Sequence, residues 1–100
     1  MFPPKIRSFV NTLIAKTNRG ELKWLYDDDN ATVRTSQDGF SIYLRYSFND
    51  VQEVGEFVLF YFDDKENKEY RFYTNQNWDD YDSARILFES AQSSGLNLPF

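Results

Sequence analysis

Ile6, Phe9, Val10, Leu13 and Ile14 recur at i, i+3, i+4, i+7 and i+8, an apolar stripe along one face of a helix. Pro3-Pro4 suits a helix opening, where a missing N–H costs nothing. Lys16 and Arg19 place cations at the negative end of the dipole, and Gly20 follows at the usual left-handed C′ position. The pattern predicts a helix over residues 4–18.

From Glu21 the period shortens to two. Leu22, Trp24 and Tyr26 alternate with Lys23 and Leu25 as a short strand. The turn composition Asp27-Asp28-Asp29-Asn30 follows. Ala31, Val33 and Thr35 then alternate with Thr32, Arg34 and Ser36. Asp38-Gly39 is a strong hairpin signal. The third strand sets Phe40, Ile42, Leu44, Tyr46 and Phe48 on one face, with Ser41, Tyr43, Arg45 and Ser47 on the other. Residues 49–55 form a loop. Phe57 to Phe62 then runs apolar without alternation, which predicts a central strand covered on both faces. After a polar turn, Tyr70, Phe72 and Thr74 alternate with Arg71 and Tyr73. Asp79 is a candidate N-cap for a second helix, whose stripe is Tyr81, Ala84, Leu87, Phe88 and Ala91. Leu96, Leu98 and Phe100 make an apolar tail expected to dock.

Every β connection is too short for a parallel crossover. The expected fold is therefore one α+β domain over residues 1–100: an N-terminal helix, a five-stranded antiparallel meander and a C-terminal helix, with both helices on one sheet face. One hundred residues fit a single domain.

Composition removes chemistry more than it adds any. Aromatic residues make up 19% of the chain, enough ring bulk to argue against disorder. With no cysteine, disulfides and thiolate zinc sites are out. With no histidine, the commonest general base and metal ligand are missing. The net charge of −5 is uneven, at +4 over residues 1–25 and −9 over 26–100. An acidic body repels phosphate backbones and anionic membranes, so neither nucleic acid nor membrane is an expected partner. No apolar run approaches transmembrane length, and the first residues lack a signal-peptide pattern. The expected location is the cytoplasm.

Two acidic clusters are candidate cation sites: Asp27 and Asp29 in the first turn, Asp80 and Asp82 at the second helix. Oxygen ligands suit calcium or magnesium. An EF-hand counted from Asp27 fails, because its sixth and twelfth positions hold Thr32 and Asp38. Turn and cap aspartates are the plainer reading. Carboxylate pairs alone do not make a glycosidase. No G-x-S-x-G, S-x-x-K or glycine-rich phosphate loop occurs. No catalytic residue and no cofactor is assigned, and an enzyme is not expected.

The aromatic sheet is the more informative feature. Two short helices can cover one face. The other would then present Tyr43, Arg45, Phe60, Phe62, Arg71 and Tyr73, the residue types enriched at interface hot spots.

The segment from Leu13 to Trp24, with its Lys16-Thr17-x-x-Gly20-x-x-x-Trp24 core, resembles the opening of small uncharacterised bacterial and phage proteins. In these a helix ends in Lys-Thr-x-x-Gly and runs into a Trp-bearing strand. Asp80-Tyr81-Asp82 with Leu87, Phe88 and Ala91 is similar to their closing helix. The resemblance implies a one-domain α-β-meander-α module with no assigned activity and no catalytic residues to carry over. The expected function is accordingly a non-enzymatic protein–protein interaction module, a homodimer or a small adaptor or inhibitor, working through the aromatic face. Alternatives are a divalent-cation or small-ligand binder using the aspartate clusters, and an acidic inhibitor of a nucleic-acid-binding protein.

Overall fold

The computed structural model describes residues 1–99. Phe100, part of the expected tail, lies outside the described residues. The order is α1 (Pro4–Asn18), β1 (Leu25–Asp27), β2 (Thr32–Gln37), β3 (Phe40–Asn49), β4 (Val54–Asp63), β5 (Lys68–Asn75) and α2 (Tyr81–Ser93). The strands form one antiparallel sheet in sequence order, β1-β2-β3-β4-β5. The expected α+β meander between two helices is the observed architecture.

α1 ends as its sequence dictates. Gly20 takes φ +77°. Its N–H donates to the Thr17 carbonyl and that of Glu21 to the Lys16 carbonyl, the paired bonds of a Schellman end. The chain then turns back under the helix. The Trp24 indole N–H donates to the Thr17 hydroxyl at 3.0 Å, and that hydroxyl donates to the Leu13 carbonyl at 2.7 Å. Thr17 and Trp24 are both buried, so the Lys-Thr-x-x-Gly-x-x-x-Trp spacing joins helix end to core. β1 is shorter than expected because Trp24 N–H bonds the Ser94 hydroxyl and the Lys23 carbonyl accepts from Thr35. The alternation is kept all the same, with Leu22 and Trp24 buried.

The core lies between the helices and one sheet face. Val33, Ile42, Leu44, Phe57 and Leu59 meet Val10, Leu13, Ala84, Leu87 and Ala91 there, all at most 2% exposed. α2 packs on α1 and against several strands, while α1 reaches the sheet through Phe9, edge-on to Phe40 and Tyr61. Gly55 is buried, and only glycine fits there, since a Cβ would lie 2.8 Å from the Tyr81 hydroxyl and 3.0 Å from that of Tyr46.

Further expectations need correction. The loop expected over 49–55 is confined to residues 50–53, because β3 runs on to Asn49 and β4 already pairs from Val54. β4 is paired on both sides, but the helices cover only its Phe57–Leu59–Tyr61 face. Val58, Phe60 and Phe62 are half-buried, and their apolar run reflects two unlike environments rather than two covered faces. The N-cap of α2 is Asp80 rather than Asp79, and Asp80 makes no side-chain cap bond, because its carboxylate turns into the core. The tail does not dock as expected: Leu96 is 63% and Leu98 70% exposed. The helices and Phe2 already fill the core face, leaving those leucines no slot.

Candidate interaction face

Strand register places all six expected contact residues on the sheet face away from the helices. One transverse row runs Arg34, Tyr43, Phe60, Arg71; the next runs Thr32, Arg45, Val58, Tyr73; a third runs Ser36, Ser41, Phe62, Glu69. Phe60 is the hub. The Arg45 guanidinium lies 5.6 Å and that of Arg71 5.4 Å from its ring centroid, one from each neighbouring strand. Arginine covers a ring with its stem while its charged head stays in water. This accounts for a half-buried phenylalanine on a face with no third layer. Tyr43 and Tyr73 remain 40% and 41% exposed.

The polar groups of this face are mutually held. The Tyr73 hydroxyl donates to Glu56 at 2.7 Å, and Asn49 Nδ2 donates to the same oxygen at 2.9 Å. Donation from Asn75 to the Tyr73 oxygen favours its ionised form. The hydrogen bond to Glu56, partial burial and the Glu56 charge outweigh it, so Tyr73 titrates above the ordinary tyrosine range. At neutral pH it is therefore a neutral donor and no base. Glu69 pairs with Arg71 at 3.3 Å. Arg34, Arg45 and Arg71 stand among Asp27, Glu56 and Glu69 on the face, with Asp28, Asp29 and Asp64 at its borders.

Arg34, Val58, Glu56 and Glu69 belong to this face and were not among the expected residues. For Arg34 the signal was available in the turn. A two-residue Asp38-Gly39 hairpin pairs Gln37 with Phe40, and counting back from it sets Arg34 beside Tyr43.

The aspartate clusters are engaged otherwise. Asp27 closes its own turn, accepting from the Asn30 side chain at 2.7 Å and from the Asn30 N–H. Those donors, the side-chain amide foremost, hold its carboxyl below the ordinary range. Asp80, 5% exposed, accepts from the Phe2 N–H at 2.6 Å and from the Thr74 hydroxyl, with Arg7 at 3.4 Å. It ties the chain start to β5 and α2. Asp82 lies 3.7 Å from Arg85. Asp29 faces solvent in the turn. Among the described residues no three acidic side chains converge into a group able to hold a metal.

Among the described residues no helix is long and apolar enough to cross a membrane. No family model, curated protein or solved structure gives a significant match to this chain.

Proposed function

We propose that this protein is a non-enzymatic interaction module whose contact surface is the open sheet face centred on Phe60. The observation that carries the reading is the Arg45–Phe60–Arg71 sandwich, flanked by Tyr43, Tyr73 and Phe62, on a face that no element among the described residues covers. Tyrosine and arginine are among the residue types enriched at interface hot spots, and arginines interspersed with carboxylates on this face can pair with those of a partner. Kinship with the small α-β-meander-α proteins belongs to the same proposal.

The test compares immobilised wild type with a Phe60→Ser/Tyr73→Ser variant. Expected is loss of the bound protein, whether foreign or a second copy, with an unchanged far-UV circular dichroism spectrum. Retained binding would remove the open face from the contact, and a collapsed spectrum would make both rings part of the fold.

A further inference from the structure

β5 is an edge strand, and its backbone shows which of its groups are free. The Gln76 N–H donates to the Gly55 carbonyl at 3.1 Å, continuing the Glu56–Asn75 register. Antiparallel alternation then turns the N–H and C=O of Phe72 and Tyr70 towards β4, and those of Asn75, Tyr73, Arg71 and Glu69 away from it. Two contacts agree with this parity. The Met1 nitrogen donates to the Tyr73 carbonyl at 2.9 Å, and the Trp78 N–H donates to the Asn75 carbonyl at 3.0 Å. Both outward carbonyls at that end of the strand are thus occupied. The N–H and C=O of Glu69 and Arg71 point outward with no partner among the described residues.

Two such residues in alternation are what an antiparallel partner strand needs, and their side chains specify which strand. We infer that β5 pairs with β5 of a second copy, in the register that sets Glu69 opposite Arg71 of the other chain and Arg71 opposite its Glu69. Each of these two pairs exchanges both backbone hydrogen bonds, and Tyr70 of the two copies meets at the two-fold axis. Registers displaced by two residues oppose Glu69 to Glu69 or Arg71 to Arg71, and like charges directly across a sheet are destabilising. The Arg71–Arg71 register also needs the Tyr73 carbonyl that Met1 holds.

The chemistry beside the seam fits the same occupant. On the helix side, an apolar groove of about 550 Å³ between α1 and β5 is lined by Ile6, Phe9, Tyr61, Tyr70 and Phe72. The two-fold axis brings the grooves of both copies together at Tyr70. A continuous ten-stranded sheet results, and the exposed edge that would otherwise template aggregation is closed. The pairing is separate from the open-face reading, because it leaves that face uncovered on both copies.

Sedimentation equilibrium of the full chain, with amide hydrogen exchange, tests the pairing. Wild type is expected to reach twice 11.9 kDa, and exchange at the Glu69 and Arg71 amides is expected to slow as protein concentration rises. Glu69→Arg and Arg71→Glu should each weaken the dimer roughly tenfold, and the double exchange Glu69→Arg/Arg71→Glu should restore it. Tyr43→Ser, on β3 and outside the Glu69–Arg71 pairs, should leave it intact. Circular dichroism reports whether each variant folds, and Glu69→Pro, whose lost N–H faces away from β4, blocks the seam without breaking the intrachain ladder. A wild type still monomeric at about 1 mM, a double exchange that fails to restore pairing, or a dimer lost in Tyr43→Ser but kept in the charge reversals would overturn the inference.

Discussion

β4 carries two surfaces built from the same residue types and used differently. On its helix side Phe57 and Leu59 are 2% and 0% exposed, closed in by rings and aliphatic chains from both helices. On its other side Val58, Phe60 and Phe62 are half-buried, and what shields Phe60 is two arginines. Apolar area removed from water stabilises the first set. The second set keeps its area close to water, under side chains that can swing aside. The pairing teaches that hydrophobicity along a strand does not reveal which face is core. The covering partner does.

The largest effect should separate the two faces of this strand. Leu59→Ala is expected to cost about 2–5 kcal/mol, because it leaves a cavity in a closed core. Phe60→Ala is expected to cost about 1 kcal/mol, the scale of its partly exposed ring–arginine contacts. Urea unfolding of both variants gives the ratio, and equal losses would abolish the distinction between the faces.

Next in size is the polar node at the rim of the core. Asp80→Ala removes the acceptor of the Phe2 N–H and the Thr74 hydroxyl, both buried. A cost of about 2–4 kcal/mol is expected, since such groups lose a charged partner and gain no water. A loss below about 0.5 kcal/mol, the range of ordinary surface substitutions, would reduce Asp80 to an incidental contact.

The smallest effect belongs to the exposed turn. The Asp27 carboxyl titrates below its ordinary range, chiefly because Asn30 donates to it. A depressed native pKa contributes stability that is complete above the unfolded value and lost as pH falls through the folded one. Asn30→Ala is therefore expected to lower stability slightly at neutral pH and to flatten its decline on acidification. Thermal melts of the two proteins at pH 7 and about pH 3 check the sign; an unchanged acid dependence would detach Asp27 from its turn role.

Most of the architecture was legible because local signals agreed with the global fold. The stripe from Ile6 to Ile14 with Gly20, the Asp38-Gly39 turn and the alternation from Phe40 to Phe48 each fixed an element without help from distant residues. The six-residue face followed from parity alone. What failed depended on tertiary context. Asp79 and Asp80 are equivalent as capping residues in sequence, and only the proximity of Phe2 and Thr74 draws Asp80 inward. The run from Phe57 to Phe62 could not show that one face would be covered by arginines from Arg45 and Arg71 rather than by a layer of structure. Leu96 and Leu98 carry a core-like pattern, but Phe2, 0% exposed, fills the core from the other end of the chain.

The central claim is that the open face is a contact surface. Hydroxyl-radical footprinting tests it most directly, comparing the purified chain diluted to monomer with the same chain in its native lysate. Protection in the lysate should fall on Tyr43, Phe60, Phe62 and Tyr73, while exposed Trp78 and Tyr26 label alike in both. Equal labelling of the four rings under the two conditions would contradict it.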